Sequence, residues 1–200
     1  MILTERFSVA LTFATRLHAA QLRKGTTIPY ISHLLAVTGI ALQHGATEDE
    51  AIAALLHDAV EDQGGATTLK EIYHRFGRGV SEIVEGCTDA DTIPKPPWRQ
   101  RKEKYIAHLS TASPSVRLVC AADKLDNARS VLADYRTLAD ALWGRFNGGK
   151  DGTLWYYRAI VETLRVDQNP LVEELDRVVC QLEALVDAAR SIGSSSSGVR

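Results

Sequence analysis

The sequence predicts an all-α protein, a single bundle of about eight to nine helices. Three observations carry this. Apolar residues recur at three- and four-residue steps along most of the chain, which is the period of one helical face. No stretch alternates apolar and polar residues as a half-buried strand would. Capping residues, prolines and glycines fall where such helices would start and stop. Hydrophobic residues make up 45% of the 200 and the formal net charge is −2, so the chain builds a core and is not disordered.

Taken in order, Phe7, Leu11, Ala14, Leu17 and His18 form the apolar stripe of a first helix. His33 to Gln43 gives a second, after the rigid Pro29. Thr47-Glu48-Asp49-Glu50 is a capping box, a hydroxyl at the N-cap and a carboxylate three residues on. It opens a third helix that should run through Val60 and stop at Gly64-Gly65. Thr68-Leu69-Lys70-Glu71 repeats the signature and starts a short helix ending near Gly77. Ser81 to Cys87 continues the helical period, and Pro94, Pro96 and Pro97 mark a loop. Helices follow at 98–110, 114–133, 153–166 and 170–191, with Pro114 and Pro170 at first helical positions behind the caps Ser113 and Asn169. One domain is expected over 1–192, followed by a flexible Gly/Ser tail at 193–200.

Several function classes fall away on composition. With 23 basic against 25 acidic residues the chain is not built to coat a nucleic-acid polymer. No apolar run approaches the ~18–20 residues of a membrane span, and the N-terminus lacks a signal-peptide pattern, so a cytoplasmic protein with no membrane partner is expected. Cys87, Cys120 and Cys180 sit inside apolar helical patterns and read as reduced core thiols.

Chemistry concentrates at His57-Asp58-Ala59-Val60-Glu61-Asp62. Neighbouring helical residues point about 100° apart, so His57 and Asp58 can embrace one ion from one side. Glu61 and Asp62 stand a turn later on the same face. Three carboxylates within so short a span repel one another unless a cation or solvent compensates, and at a helix C-terminus they also oppose the macrodipole. Two other segments offer what a metal site would add: His33 after Tyr30-Ile31-Ser32, and Asp123 in the otherwise apolar run around Ala121 and Ala122. Alone, His33 would read as an ordinary core or surface residue, and Asp123 as a partner for Arg117 or Lys124. Tyr30 reads as a packing residue.

Four segments in this order resemble the HD-domain metal-dependent phosphohydrolases, and within them the small alarmone hydrolases that degrade (p)ppGpp. They are His18 to Gly25, Pro29 to His33, Leu55 to Asp62 and Ala122 to Asn127. The resemblance implies an HD-domain bundle in which His33, His57, Asp58 and Asp123 bind one divalent cation, typically Mn2+. The donor set agrees: two imidazoles and two carboxylates suit Mn2+, Fe2+ or Zn2+, and the lack of thiolate speaks against a closed structural zinc site. It also implies Glu61 and Asp62 as the catalytic pair, with Glu61 as acid/base and Asp62 orienting water, or the reverse. Arg23, Lys24, Lys124 and Asn127 would hold the nucleotide.

The implied reaction is hydrolysis of the 3′-pyrophosphate of (p)ppGpp, with release of pyrophosphate. Asp126 departs from the family pattern, as does the segment from Trp143 to Tyr157, whose Lys150 and Tyr157 are added candidates for phosphate contacts. These departures keep other readings open: (p)ppApp, NADPH or a 5′-nucleotide as substrate, or a nucleotide-binding HD protein without turnover. The oligomeric state is not legible.

Overall fold

Burial follows the apolar runs. Ala51 to Leu56 are buried without exception, which puts their helix inside the core. The structure, a computed structural model, describes residues 2–89, 94 and 96–196. Its helices are α1 (Glu5–Leu17), α2 (Ile31–Gln43), α3 (Glu48–Leu56), α4 (Ala59–Asp62), α5 (Gly65–Phe76), α6 (Arg78–Cys87), α7 (Trp98–Leu109), α8 (Pro114–Leu138), α9 (Gly149–Leu164) and α10 (Pro170–Ser196). Two 3-10 turns, Ala139–Arg145 and Arg165–Asp167, flank α9. No strand occurs among the described residues. An antiparallel bridge, Leu22 to Pro29, closes the loop between α1 and α2. Helix α3 packs on α1, α2, α6 and α8, and the long α8 also contacts α9 and α10. The all-α expectation holds.

The capping box at Thr47 forms as read: the Thr47 hydroxyl accepts from the Glu50 N–H, and the Glu50 carboxylate accepts from the Thr47 N–H at 2.6 Å. Ser113 and Pro114 open α8, also as read. Five boundaries differ. The third helix does not run on to Gly64. It ends at Leu56, and His57-Asp58 is a turn before the four-residue α4. His57 Nδ1 lies 2.9 Å from the Ala54 carbonyl, a side-chain partner that competes with the helical ladder.

The second capping box does not exist. Helix α5 already begins at Gly65, and the Thr68 hydroxyl donates back to the Gln63 carbonyl at 2.7 Å. Gly64 makes room for this, at φ 129° and with a Cβ position only 2.7 Å from that hydroxyl. Helix α8 runs five residues past 133, to Leu138, and α9 starts earlier than predicted, at Gly149. Helix α10 continues to Ser196, into the stretch predicted to be tail, and 197–200 lie outside the described residues.

Of the cysteines, Cys120 is buried and Cys87 half-buried, but Cys180 is exposed and is no core thiol. No helix among the described residues is long and apolar enough to cross a membrane.

Candidate metal centre and active site

Three elements deliver four donors to one point. His33 sits in the first turn of α2, directed by the Pro29-Tyr30 entry, His57 and Asp58 occupy the α3–α4 turn, and Asp123 lies midway along α8. His33, His57 and Asp58 offer donor atoms that all lie within 4.8 Å of one another. Asp123 Oδ1 joins them, 3.2 Å from His33 Nε2 and 3.6 Å from His57 Nε2. His57 Nε2 is 3.0 Å from Asp58 Oδ2, and His33 Nε2 is 3.8 Å from it. Both histidines are 2% exposed, so these contacts are not surface accidents.

A divalent cation fits this donor set on two grounds. His57 Nε2 is buried and makes no hydrogen bond among the described residues, which is costly unless another partner takes the lone pair. The electrostatics also ask for positive charge. Burial pushes the Asp58 and Asp123 carboxyls up, yet nearby positive groups outweigh it: His57 for Asp58, and Lys124 with both imidazoles for Asp123. Both end below the usual carboxylate range. Burial pushes the two imidazoles down, but the carboxylates around them hold both above the ordinary value. Protons and a divalent cation therefore compete for the same imidazole nitrogens.

That linkage has a sign. A protonated imidazole cannot ligate, so metal binding displaces these protons. Divalent-cation affinity is therefore expected to rise with pH through and beyond the ordinary imidazole value of about 6.5. Calorimetry at several pH values checks this, and a flat profile would contradict it.

A second layer orients these donors. His33 Nδ1 lies 2.6 Å from Asp126 Oδ2, His57 Nδ1 faces the Ala54 carbonyl, and both rings therefore aim Nε2 at the centre. The Tyr30 hydroxyl donates to Asp58, and Lys124 and Asn127 donate to Asp123. Tyr30 thus does more than pack. Asp126, which reads in the sequence only as a departure, is the orienting partner of His33 and also accepts from Arg23 at 2.6 Å. Asp126→Asn is expected to weaken metal binding by about 10- to 100-fold, the usual cost of losing such a partner. Titration of the variant with a divalent cation measures it, and unchanged affinity would refute the role.

Beside this centre lies a cavity of about 390 Å3. His33 and Glu61 form its metal-side wall, and Arg23, Lys24, Arg101, Lys102, Lys124 and Arg145 bring six cationic side chains to it. Tyr30, Trp98, Phe146, Tyr156 and Tyr157 add aromatic surface, and Asn127 lies among them. The loop carrying Arg23 and Lys24 turns at Gly25, whose φ is 73° and whose Cβ position would lie 3.0 Å from the Arg145 stem. A side chain there would push that loop off the cavity rim.

Of the predicted site residues, ten reach the metal centre, its adjoining turn or the cavity, and Lys150 does not. Its ammonium pairs with Asp140 at 2.7 Å, and it is absent from the cavity wall. Asp62 also stays off that wall; its Oδ2 accepts from Gln21 at 2.8 Å. Arg23 serves two roles, since its guanidinium also binds Asn127 and Ser130 of α8. Arg101, Lys102 and Trp98 escaped sequence reasoning because nothing in the α7 period ties them to residues forty positions earlier.

Residues 10–152 match the HD domain family, and all four donors fall inside that match. The chain belongs to the HD-domain family. Among relatives, the guanosine-3′,5′-bis(diphosphate) 3′-pyrophosphohydrolase MESH1 of Xenopus tropicalis is 42% identical over 125 residues, which covers 61% of this chain and 67% of that one. The protein of the same name from Drosophila melanogaster is 29% identical over 179 residues, 88% of this chain and 94% of that one. A solved structure described as a metazoan ortholog of SpoT that hydrolyzes ppGpp superposes with a TM-score of 0.76 at 28% identity, covering 90% of this chain and 97% of that one. The matched residues include the His57-Asp58 turn between α3 and α4, and Tyr156 and Tyr157 lie just beyond them.

Proposed function

We propose that this HD-domain chain hydrolyses the 3′-pyrophosphate of (p)ppGpp in the cytoplasm, using one Mn2+ held by His33, His57, Asp58 and Asp123. The observation that carries the reading is the convergence of four buried or half-buried donors, among them His57 Nε2, which makes no hydrogen bond among the described residues, beside a cation-lined cavity that also presents Glu61. The names of its relatives supply the nucleotide.

A divalent cation bound there lowers the pKa of water and draws charge from phosphoryl oxygens. Glu61, on the cavity wall, takes a proton from the attacking water. The water oxygen adds to the phosphorus at the 3′ position and the bond from phosphorus to the 3′ oxygen breaks. A proton returns to that oxygen, so one water is consumed and pyrophosphate and GDP or GTP leave. Asp62, steadied by Gln21, orients the water. Arg23, Lys24, Lys124 and Asn127 hold the nucleotide, Tyr157 reaches a phosphate, and the neighbouring aromatic side chains offer faces for the base.

Product analysis tests this. Mn2+-loaded protein incubated with ppGpp, ppApp, NADPH and a panel of deoxynucleoside triphosphates should release pyrophosphate and GDP from ppGpp. Turnover of another member alone would move the substrate, and turnover of none would refute the hydrolase reading.

A further inference from the structure

Arg101 and Lys102 are adjacent on α7, and both line the cavity, with side chains 11% and 17% exposed. One carboxylate oxygen, Asp89 Oδ2, holds both, at 2.6 Å each. Asp89 follows α6 and its side chain is 5% exposed, yet its Oδ1 finds no partner among the described residues. A buried carboxylate satisfied on one side only is a poor stabilising device. Its evident service is to fix two cations in place. The two cations share that one carboxylate oxygen, and burial together with the neighbouring Lys124 lowers the pKa of Lys102. Arg101 Nη1 also lies 4.0 Å from Glu61 Oε1, so this wall abuts the carboxylate assigned to the attacking water.

We infer that Arg101 and Lys102, positioned by the buried Asp89, form a binding site for the pyrophosphate that leaves, distinct from the Arg23-Lys24 loop across the cavity. The inference rests on the proposed hydrolysis for the identity of the anion. A planar guanidinium and an ammonium on consecutive residues suit a diphosphate, which offers several oxygens on two linked phosphorus atoms, better than a single phosphate. Asp89 is a positioning residue, since it touches the cations and not the anion.

Calorimetric titration of inorganic pyrophosphate, and separately of orthophosphate, into the Mn2+-loaded protein tests the site without requiring turnover. Arg101→Gln and Lys102→Gln are each expected to weaken pyrophosphate binding by about 10-fold or more, the worth of one charge-assisted hydrogen bond. Arg99→Gln is the control, since Arg99 stacks on Trp155 and pairs with Glu103 outside the cavity, and it should bind pyrophosphate as the parent does. Asp89→Asn should lose pyrophosphate affinity while keeping its Mn2+ affinity, a split that general unfolding would not give. Wild-type pyrophosphate affinity in both Arg101→Gln and Lys102→Gln would overturn the site, whatever the turnover of ppGpp. Loss of affinity in both, in a parent that does not cleave ppGpp, would uphold the anion site and refute the hydrolase reading.

Discussion

Asp123→Asn is expected to remove divalent-cation binding and ppGpp turnover together. The change keeps the volume of a side chain that is 6% exposed and keeps an oxygen to accept from Asn127, so the fold has little reason to fail. What it removes is charge. Asp123 faces both ligand imidazoles, at 3.2 and 3.6 Å, and its carboxyl is held well below the usual range by Lys124 and by those rings. Losing an outer partner of a metal ligand already costs about 10- to 100-fold in affinity, so losing a ligand should exceed about 100-fold. Lys124 would add to the damage, because its buried ammonium would lose its carboxylate and stand beside the incoming cation. Mn2+ titration by calorimetry, run beside a pyrophosphate-release assay, checks both halves. Retained binding with lost turnover would move Asp123 from ligand to some other role.

Glu61→Gln should instead separate the two. The amide keeps the shape of the carboxylate but cannot take a proton from water, and removing a positioned general base costs about 100- to 10,000-fold in rate. Mn2+ affinity should stay near that of the parent, because Glu61 is not one of the four converging donors, and KM should move little. The structure also favours Glu61 over Asp62 for this step. Glu61 stands on the cavity wall, whereas Asp62 stays off it and is engaged by Gln21. Asp62→Asn should therefore cost less in kcat than Glu61→Gln, and a larger loss would exchange the two roles. Steady-state kinetics on the two variants decide it.

How much of this was legible in the sequence varied with the range of the interaction. The capping box at Thr47 and the Ser113-Pro114 entry to α8 are local, involve a few consecutive residues and read directly. The His57-Asp58 cluster stood out because acidic and imidazole side chains in an apolar run need a reason to be there, whereas His33 and Asp123 joined it only through the resemblance, and the fold brings their donor atoms beside it. The turn at His57-Asp58 was not, since no glycine or proline marks it and the side-chain bond that competes there uses an ordinary carbonyl.

Asp126 lies one helical turn beyond Asp123, a spacing that placed both on one face of α8, but its partner His33 is 93 residues away in sequence. The same distance problem hid Arg101, which meets Glu61 only once α7 is folded against the centre. Lys150 misled for the opposite reason: a basic residue in a Gly-rich loop looks available, yet Asp140, ten positions earlier, occupies it.

The central claim is that one divalent cation, held by His33, His57, Asp58 and Asp123, drives cleavage of the 3′-pyrophosphate. Metal-stripped protein titrated with Mn2+, with bound metal and pyrophosphate release from ppGpp followed on the same samples, tests it most directly. Activity should be absent at the start, climb in step with occupancy and level off at one Mn2+ per chain. Full activity in the stripped protein, or saturation of the metal site with no pyrophosphate released, would contradict it.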